Sequence, residues 1–142
     1  MTKKTILITL GNIIIFSFGV IYNLKLGLLG FIILAYISPL LFNGIISFFG
    51  KKRNYLKYNL IYAGITTFCY FIFSIYFISR PGFSDFVSNN SRETGNVSIQ
   101  INTELANIDQ LIFVFLLNFV ILFLIDLLKR KKDENDTSKE FK

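Results

Sequence analysis

The chain has 142 residues, of which 53% are hydrophobic, and it carries a formal net charge of +6. It contains no His and one Cys, Cys69, which excludes a Cys/His zinc site, an intramolecular disulfide and His-based catalysis. The apolar residues occur in long uncharged blocks rather than at amphipathic spacing, which favours membrane spans over a soluble core. The net charge is then explained by the cation excess of cytoplasmic loops rather than by nucleic-acid binding.

The first uncharged block is residues 5–22, which follow Lys3 and Lys4. A short basic start before an apolar run is also typical of a signal peptide. The block is long for such a peptide and no A-x-A-like cleavage site follows it, so we expect a retained transmembrane helix. The short stretch Asn23-Leu24-Lys25 predicts a tight turn into the next helix.

Residues 26–49 and 58–79 form two further uncharged blocks, each long enough to cross the roughly 30 Å hydrocarbon core as a helix. In the first of them, Pro39 removes a backbone donor and crowds the carbonyl of Ala35, which predicts a bend. Between the blocks lies a cluster of four cations, Lys51, Lys52, Arg53 and Lys57. Such a cluster normally stays on the cytoplasmic side, so these four residues are predicted to set the topology.

Residues 80–109 are the sizeable polar segment between predicted spans, with two Arg against four Asp and Glu. We expect a flexible loop at residues 88–91 and at Gly95-Asn96. Residues 97–102 alternate like a strand, but a lone strand has no partner, so the prediction is an unpaired extended segment.

The fourth predicted span, residues 110–128, carries one charge, Asp126. Lys129 and Arg130 follow it at i+3 and i+4 and are ordinary partners on the same helix. Residues 129–142 have almost no apolar side chain to bury, which predicts a disordered cytoplasmic tail.

The distribution of charge gives the orientation. With both termini inside, 12 of the 15 cations face the cytoplasm, which leaves outside only Lys25, Arg80 and Arg92. The sequence therefore predicts an all-α integral membrane protein of the cell membrane. Residues 1–128 form its four-helix transmembrane domain, residues 80–109 its outer loop, and the N and C termini are cytoplasmic.

Each predicted span contains one asparagine, and an amide in hydrocarbon seeks a partner, which makes four residues of interest: Asn12, Asn43, Asn59 and Asn118. In a hairpin that turns near Leu24, Asn12 is level with about residue 36 and within two turns of Asn43. We predict that Asn12 donates to Asn43 or to the Ala35 carbonyl; the alternative is that Asn12 faces lipid or headgroups. Asn118 is a further candidate for an interhelical contact.

The sequence shows no Gly-rich loop, no G-x-S-x-G and no paired carboxylates, so we expect a protein that is not an enzyme and binds no cofactor or metal. Asp126 is the one acid inside a predicted span, and transporters usually carry a functional acid or base deep in a span. Its pairing at the inner boundary favours a structural role, with a proton or ion role as the alternative. Cys69 is interpreted as an inert core residue. The basic clusters either bind anionic lipid headgroups or serve only as topology signals.

Several features follow one another in a recognisable order. Ile37-Ser38-Pro39 precedes Asn43-Gly44-Ile45 in the second span, and a polar inner loop and an aromatic third span come next. Pro81 with Phe83 and then Ile108-Asp109 complete the series. Together they resemble the Msa family, small Gram-positive bacterial membrane proteins named as modulators of the SarA regulator. The resemblance implies a membrane-embedded modulator that influences expression of regulators and virulence factors.

Two classes of function remain open from the sequence. The first is a regulatory or accessory membrane protein that responds to an extracellular factor through residues 80–109 or binds another membrane protein. The second is an immunity protein against a membrane-active peptide or toxin. A pore or transporter ranks third because the first three predicted spans carry no charge. The lipid bilayer is the expected partner in every case, and nucleic acid is not.

Overall fold

A computed structural model describes residues 3–49, 54–94, 97–99 and 103–140 of the chain. Its elements are α1 (Lys3–Ile32), a π-helix (Ile33–Ile37), α2 (Ser38–Phe48), α3 (Tyr55–Ile78), α4 (Phe83–Asn90), β1 (Arg92–Thr94), β2 (Val97–Ile99) and α5 (Ile108–Glu140). In this part of the chain three helical segments are long and apolar enough to cross a membrane: Lys3–Phe48, Tyr55–Ile78 and Ile108–Lys131. The prediction of a helical chain built on membrane-length apolar segments is confirmed.

The 46-residue segment Lys3–Phe48 folds back on itself at Gly27. Gly27 has φ +67° and ψ −168°, a conformation open to glycine because it has no Cβ. Asn12 and Asn43 are hydrogen-bonded at 2.9 Å, whereas a straight helix would separate residues 31 positions apart by about 46 Å. The segment therefore forms two antiparallel arms, residues 3–26 and 28–48, which we call the first hairpin.

The prediction of a turn at Asn23-Leu24-Lys25 is wrong, because these residues are helical and Asn23 is fully buried. Lys25 suggests the end of an apolar span, but the backbone reverses where a glycine permits a positive φ. This shift of three residues changes the register of the hairpin. Gly11 consequently faces the ring of Phe42, and a Cβ added at Gly11 would clash with that ring, which would have to move.

The second arm contains a π-helix that ends two residues before Pro39. Proline has no backbone N–H, so the carbonyl of Ala35 loses its usual helical donor. The N–H of Ser38 bonds to the carbonyl of Ile33, five residues back, which is the π-helical pattern.

The bundle buries several polar side chains beside an aromatic and aliphatic core, and it exposes many large apolar side chains on its outside. Asn12, Asn43 and Asn59 are 0% exposed, whereas Leu29 is 75% exposed and Phe68 63% exposed. Of the three apolar segments, α3 is the most enclosed: 44% of its most apolar stretch is buried, against 28% and 22% for the other two. A surface of large exposed hydrophobic side chains suits surroundings of hydrocarbon rather than water.

The two ends of the bundle differ in character. At the basic end, Lys129 Nζ donates to the carbonyl of Phe48 over 2.8 Å, and the Arg130 guanidinium lies 4.5 Å from the centre of the Tyr55 ring. The loop end contains the break at Gly27, where the backbone N–H of the next residue bonds to Asn90 on α4.

The polar segment after α3 is more regular than predicted. Residues 88–90, expected in a flexible loop, form the last turn of α4. Val97–Ile99 is not an unpaired segment but pairs antiparallel with Arg92–Thr94. The sequence does not indicate that Arg92–Thr94 is a strand, because three residues are too few to show the alternation of apolar and polar side chains. Gly95-Asn96 and residues 100–102 lie outside the described residues.

The predicted disordered tail is helical as far as Glu140, since α5 continues without a break from the apolar span. Lys, Arg and Glu are good helix formers, and extending an existing helix avoids the cost of nucleation. The composition of the tail shows only that it has few apolar side chains to bury. It does not show that the tail continues an existing helix.

Candidate functional site

A chain of buried hydrogen bonds joins the first hairpin to α3. Asn12 Nδ2 donates to Asn43 Oδ1 over 2.9 Å and to the carbonyl of Ile8 over 2.8 Å. Asn43 Nδ2 donates to Thr66 Oγ1 over 2.7 Å, and the Thr66 hydroxyl donates to the carbonyl of Tyr62. The contact between Asn12 and Asn43 is the first of the two that the sequence predicts. Because none of these side chains is more than 1% exposed, the amides bond to one another rather than to water.

Asp126 forms a second interhelical contact, nearer the basic end. Asn59 Nδ2 donates to Asp126 Oδ2 over 2.8 Å, and the Ser47 hydroxyl lies 3.3 Å from Asp126 Oδ1. The carboxylate is 2% exposed and links α5 to both α3 and α2. These contacts are not evident from the sequence, in which Lys129 and Arg130 are the obvious partners. The available signal was that Asn59 and Asp126 each lie near the inner end of a predicted span.

Asn118 is buried but does not repeat this pattern. Its Nδ2 donates to the carbonyl of Val114 on its own helix over 2.9 Å. Its Oδ1 has no hydrogen-bond partner among the described residues. The structure therefore brings Asn12 and Asn43 together and leaves Asn118, the third predicted contact residue, bonded along its own helix.

A third polar contact lies towards the loop end. Gln110 Nε2 donates to the Tyr36 hydroxyl over 2.8 Å, and the hydroxyl oxygens of Tyr36 and Tyr70 lie 3.2 Å apart. Tyr36 belongs to the π-helix, so the irregularity beside Pro39 includes the residue that joins α5 and α3. No sequence motif marks these residues in advance.

At the loop end, the segment after α3 is bonded to both arms of the first hairpin. Arg80 Nη1 donates to the carbonyl of Val20 on the first arm. The N–H of Leu28, the first residue after the break, donates to Asn90 Oδ1 over 3.0 Å. Asn90 thus supplies an acceptor to a helix start that has no intrahelical partner of its own.

Two aromatic residues hold α4 on the bundle. Phe83 and Phe86 are 8% and 4% exposed, and both lie 5.4 Å from Phe77, centre to centre, in edge-on contacts. Phe86 also reaches Phe31 on the second arm at 6.1 Å. Edge-to-face ring pairs add about 0.5–1.5 kcal/mol beyond simple burial. α4 is therefore a docked element of the bundle.

Of the predicted topology-setting cations, Lys51, Lys52 and Arg53 lie outside the described residues. Lys57 is exposed in the first turn of α3. The backbone N–H of Lys57 bonds to Asn54 Oδ1 over 3.2 Å, which caps the helix start.

The polar groups described above are amides, hydroxyls, one guanidinium and one carboxylate. Most of them form hydrogen bonds between helices. Cys69 is buried in α3. Within the described residues, no group of three or more His, Cys, Asp or Glu side chains is placed to hold a metal ion. No protein-family model, curated protein or solved structure matches the chain.

Proposed function

We propose that the chain is a multi-pass protein of the cell membrane with four transmembrane helices and cytoplasmic N and C termini. The spans are the two arms of the first hairpin, α3, and α5 as far as Lys131. The support is that basic residues cluster at one end of the bundle. The start of α1, the end of α2 and the start of α3 lie there, together with the cations of α5. Cations near the ends of spans remain preferentially in the cytoplasm.

Within that membrane protein, we propose a non-enzymatic regulatory or accessory role in gene expression or virulence signalling, as the resemblance to the Msa family implies. The observation that carries this proposal is the attachment of the segment from Arg80 to Asn90 to both arms of the first hairpin. An extracellular factor, or another membrane protein, that displaced α4 would act directly on the break at Gly27.

The proposal requires a second state in which α4 is released from the bundle, and the contacts of the docked state determine how the two would differ in energy. In the docked state the Leu28 N–H is bonded to Asn90, and Phe83 and Phe86 are covered. In the released state that N–H loses its acceptor and both rings are exposed. A ligand shifts such an equilibrium only by binding one state more tightly than the other. Residues 80–109 are the proposed place for that differential binding.

The test is a deletion strain complemented with the parent chain, with Asn90→Ala or with Asn89→Ala. Asn89 is the matched control because it is exposed on the same helical turn. Deletion should change transcript levels of regulators and virulence factors. The parent and Asn89→Ala should restore them, and Asn90→Ala should not, at equal membrane levels of protein.

Unchanged transcripts after deletion would contradict the regulatory role. If the deletion instead lowered survival only under challenge with a membrane-active peptide or toxin, the chain would be an immunity protein. Restoration by Asn90→Ala to the level of the parent would show that the Leu28–Asn90 bond does not carry the signal.

A further inference from the structure

An apolar groove of about 430 Å³ runs between α2 and α5 on the outside of the bundle. Except for Gly44, its lining is entirely aliphatic or aromatic, and its walls include Ile37, Leu41, Ile45, Phe48, Ile121 and Ile125. Gly44 lies on its floor, where an added Cβ would come within 2.9 Å of Ile125 Cδ1. The groove exists because the smallest residue of α2 faces α5.

The length of the groove matches one leaflet of a bilayer. The rise of a helix from Ile37 to Phe48 is about 16 Å, and half of a roughly 30 Å hydrocarbon core is about 15 Å. The lining residues extend from Ile37, near the middle of the second arm, to Phe48 and Phe49 at the basic end. A hydrocarbon chain of one leaflet would follow the same path.

A positive charge lies at the mouth of the groove. Ile121, Ile125 and Lys129 are spaced four residues apart, so they share one face of α5. Lys129 Nζ donates to the carbonyl of Phe48, which is itself a lining residue, over 2.8 Å. Arg130 and Lys131 are exposed beside it and add to the positive charge.

We propose that this groove binds one anionic phospholipid, with an acyl chain along α2 and α5 and the phosphate beside Lys129. An apolar path of leaflet length that ends at a cation is complementary to a lipid with a charged headgroup. A partner helix would not require a charge at that point. The proposal rests on membrane insertion with the basic end at the cytoplasmic leaflet, which carries anionic lipid. It does not depend on the regulatory role.

The role of the Lys129 charge in lipid binding is tested by native mass spectrometry of the purified full chain in detergent micelles. Phosphatidylglycerol and phosphatidylcholine with the same acyl chains are added in turn, and the parent should retain phosphatidylglycerol more tightly. Lys129→Gln keeps an N–H donor for Phe48 but removes the charge. It should weaken phosphatidylglycerol binding about fivefold, the equivalent of roughly 1 kcal/mol for one basic residue at a membrane surface, and leave phosphatidylcholine unchanged.

The matched control is Lys57→Gln, which removes the same charge from an exposed residue at the same end that does not line the groove. It should stay within about twofold of the parent, because attraction between exposed charges and a headgroup is weakened by salt. Equal effects of Lys57→Gln and Lys129→Gln, or equal retention of the two lipids by the parent, would overturn the proposal.

The groove itself is tested with Gly44→Leu, which fills its floor and should lower retention of both lipids. Gly64→Leu is the control, because a Cβ at Gly64 meets no atom within 4 Å. Leu41→Trp, at a wall residue 62% exposed, repeats the test if Gly44→Leu does not fold. Full lipid retention by a folded groove variant would overturn the proposal. So would a dimer of the parent that the groove variants dissociate, since a second copy would then occupy the groove.

Discussion

At the scale of single residues, the interior of this bundle contains a few amides, hydroxyls and one carboxylate beside its apolar core. Hydrocarbon around a helical bundle gives no hydrophobic drive for helices to associate, so packing and interhelical hydrogen bonds decide its stability. A buried donor that loses its acceptor costs about 1–3 kcal/mol, more than the net gain from a typical bond. Variants that leave a donor unpaired are therefore the informative ones.

Asp126→Leu should lower the free energy of unfolding in mixed detergent micelles by about 1–3 kcal/mol, because it leaves the Asn59 amide without its acceptor. Asp126→Asn should cost less, since one amide oxygen still accepts from Asn59 and the Ser47 hydroxyl can accept from the new NH₂. Asp109→Leu, at an exposed residue in the first turn of the same helix, is the control and should change stability by less than about 1 kcal/mol.

If Asp126 served only in a pair along the helix surface, Asp126→Leu would cost a few tenths of a kcal/mol. That result would argue against the contacts to Asn59 and Ser47. Complete loss of function in an Asp126→Asn variant that inserts and folds normally would favour an ion or proton role for this carboxylate.

The Asn12–Asn43 bond is measurable by a double-mutant cycle. Asn12→Leu and Asn43→Leu should show a coupling of roughly 0.6–2 kcal/mol in unfolding free energy, the range of interhelical polar contacts in membranes. The control cycle pairs Asn12→Leu with Asn118→Leu. It should be additive within about 0.5 kcal/mol, because Asn118 donates along its own helix. Additivity in the first cycle would show that the Asn12–Asn43 bond contributes nothing.

At the scale of elements, the first hairpin depends on one glycine. Gly27→Ala places a Cβ on a residue with φ +67° and 3.4 Å from Asn90 Oδ1, so it should destabilise the protein by about 1–3 kcal/mol. Gly64→Ala should have the opposite sign, with a gain of up to about 1 kcal/mol, because alanine is the better helix former and meets no atom there. Thermal unfolding followed by circular dichroism measures both. A neutral Gly27→Ala variant would mean that the arms do not reverse at this residue.

These elements also show what the sequence can predict. The apolar helices follow from block length alone, and the Asn12–Asn43 contact follows from two amides in one short hairpin. The position of the break does not, because Lys25 is a stronger sequence signal than Gly27. For the Asp126–Asn59 contact, the sequence shows only that both residues lie near the inner end of a predicted span. The register of this contact depends on the path of residues 79–107, in which α4 and the β1–β2 pair were not recognised.

At the scale of the whole molecule, the proposed orientation in the bilayer is measured by cysteine labelling. With Cys69→Ala as background, Ser91→Cys at the loop end should react with an impermeant thiol reagent in intact cells. Ser138→Cys in the C-terminal region should react only after lysis, because twelve of the fifteen cations are expected on the cytoplasmic side. Both variants should react in lysed cells, which serves as the control. Labelling of Ser138→Cys in intact cells would contradict four spans with cytoplasmic termini.

The bond between Leu28 and Asn90 has a consequence for the order of biosynthesis. Its two residues are 62 positions apart, and at roughly 5–20 residues per second the ribosome makes the second about 3 to 12 seconds after the first. During that interval the backbone N–H of Leu28, at the reversal point of the nascent hairpin, lacks the Asn90 acceptor. The first half of the protein therefore cannot reach its final form until α4 has been synthesised and has docked on the hairpin. A chain truncated before Asn90 should leave this reversal point open to quality-control proteases.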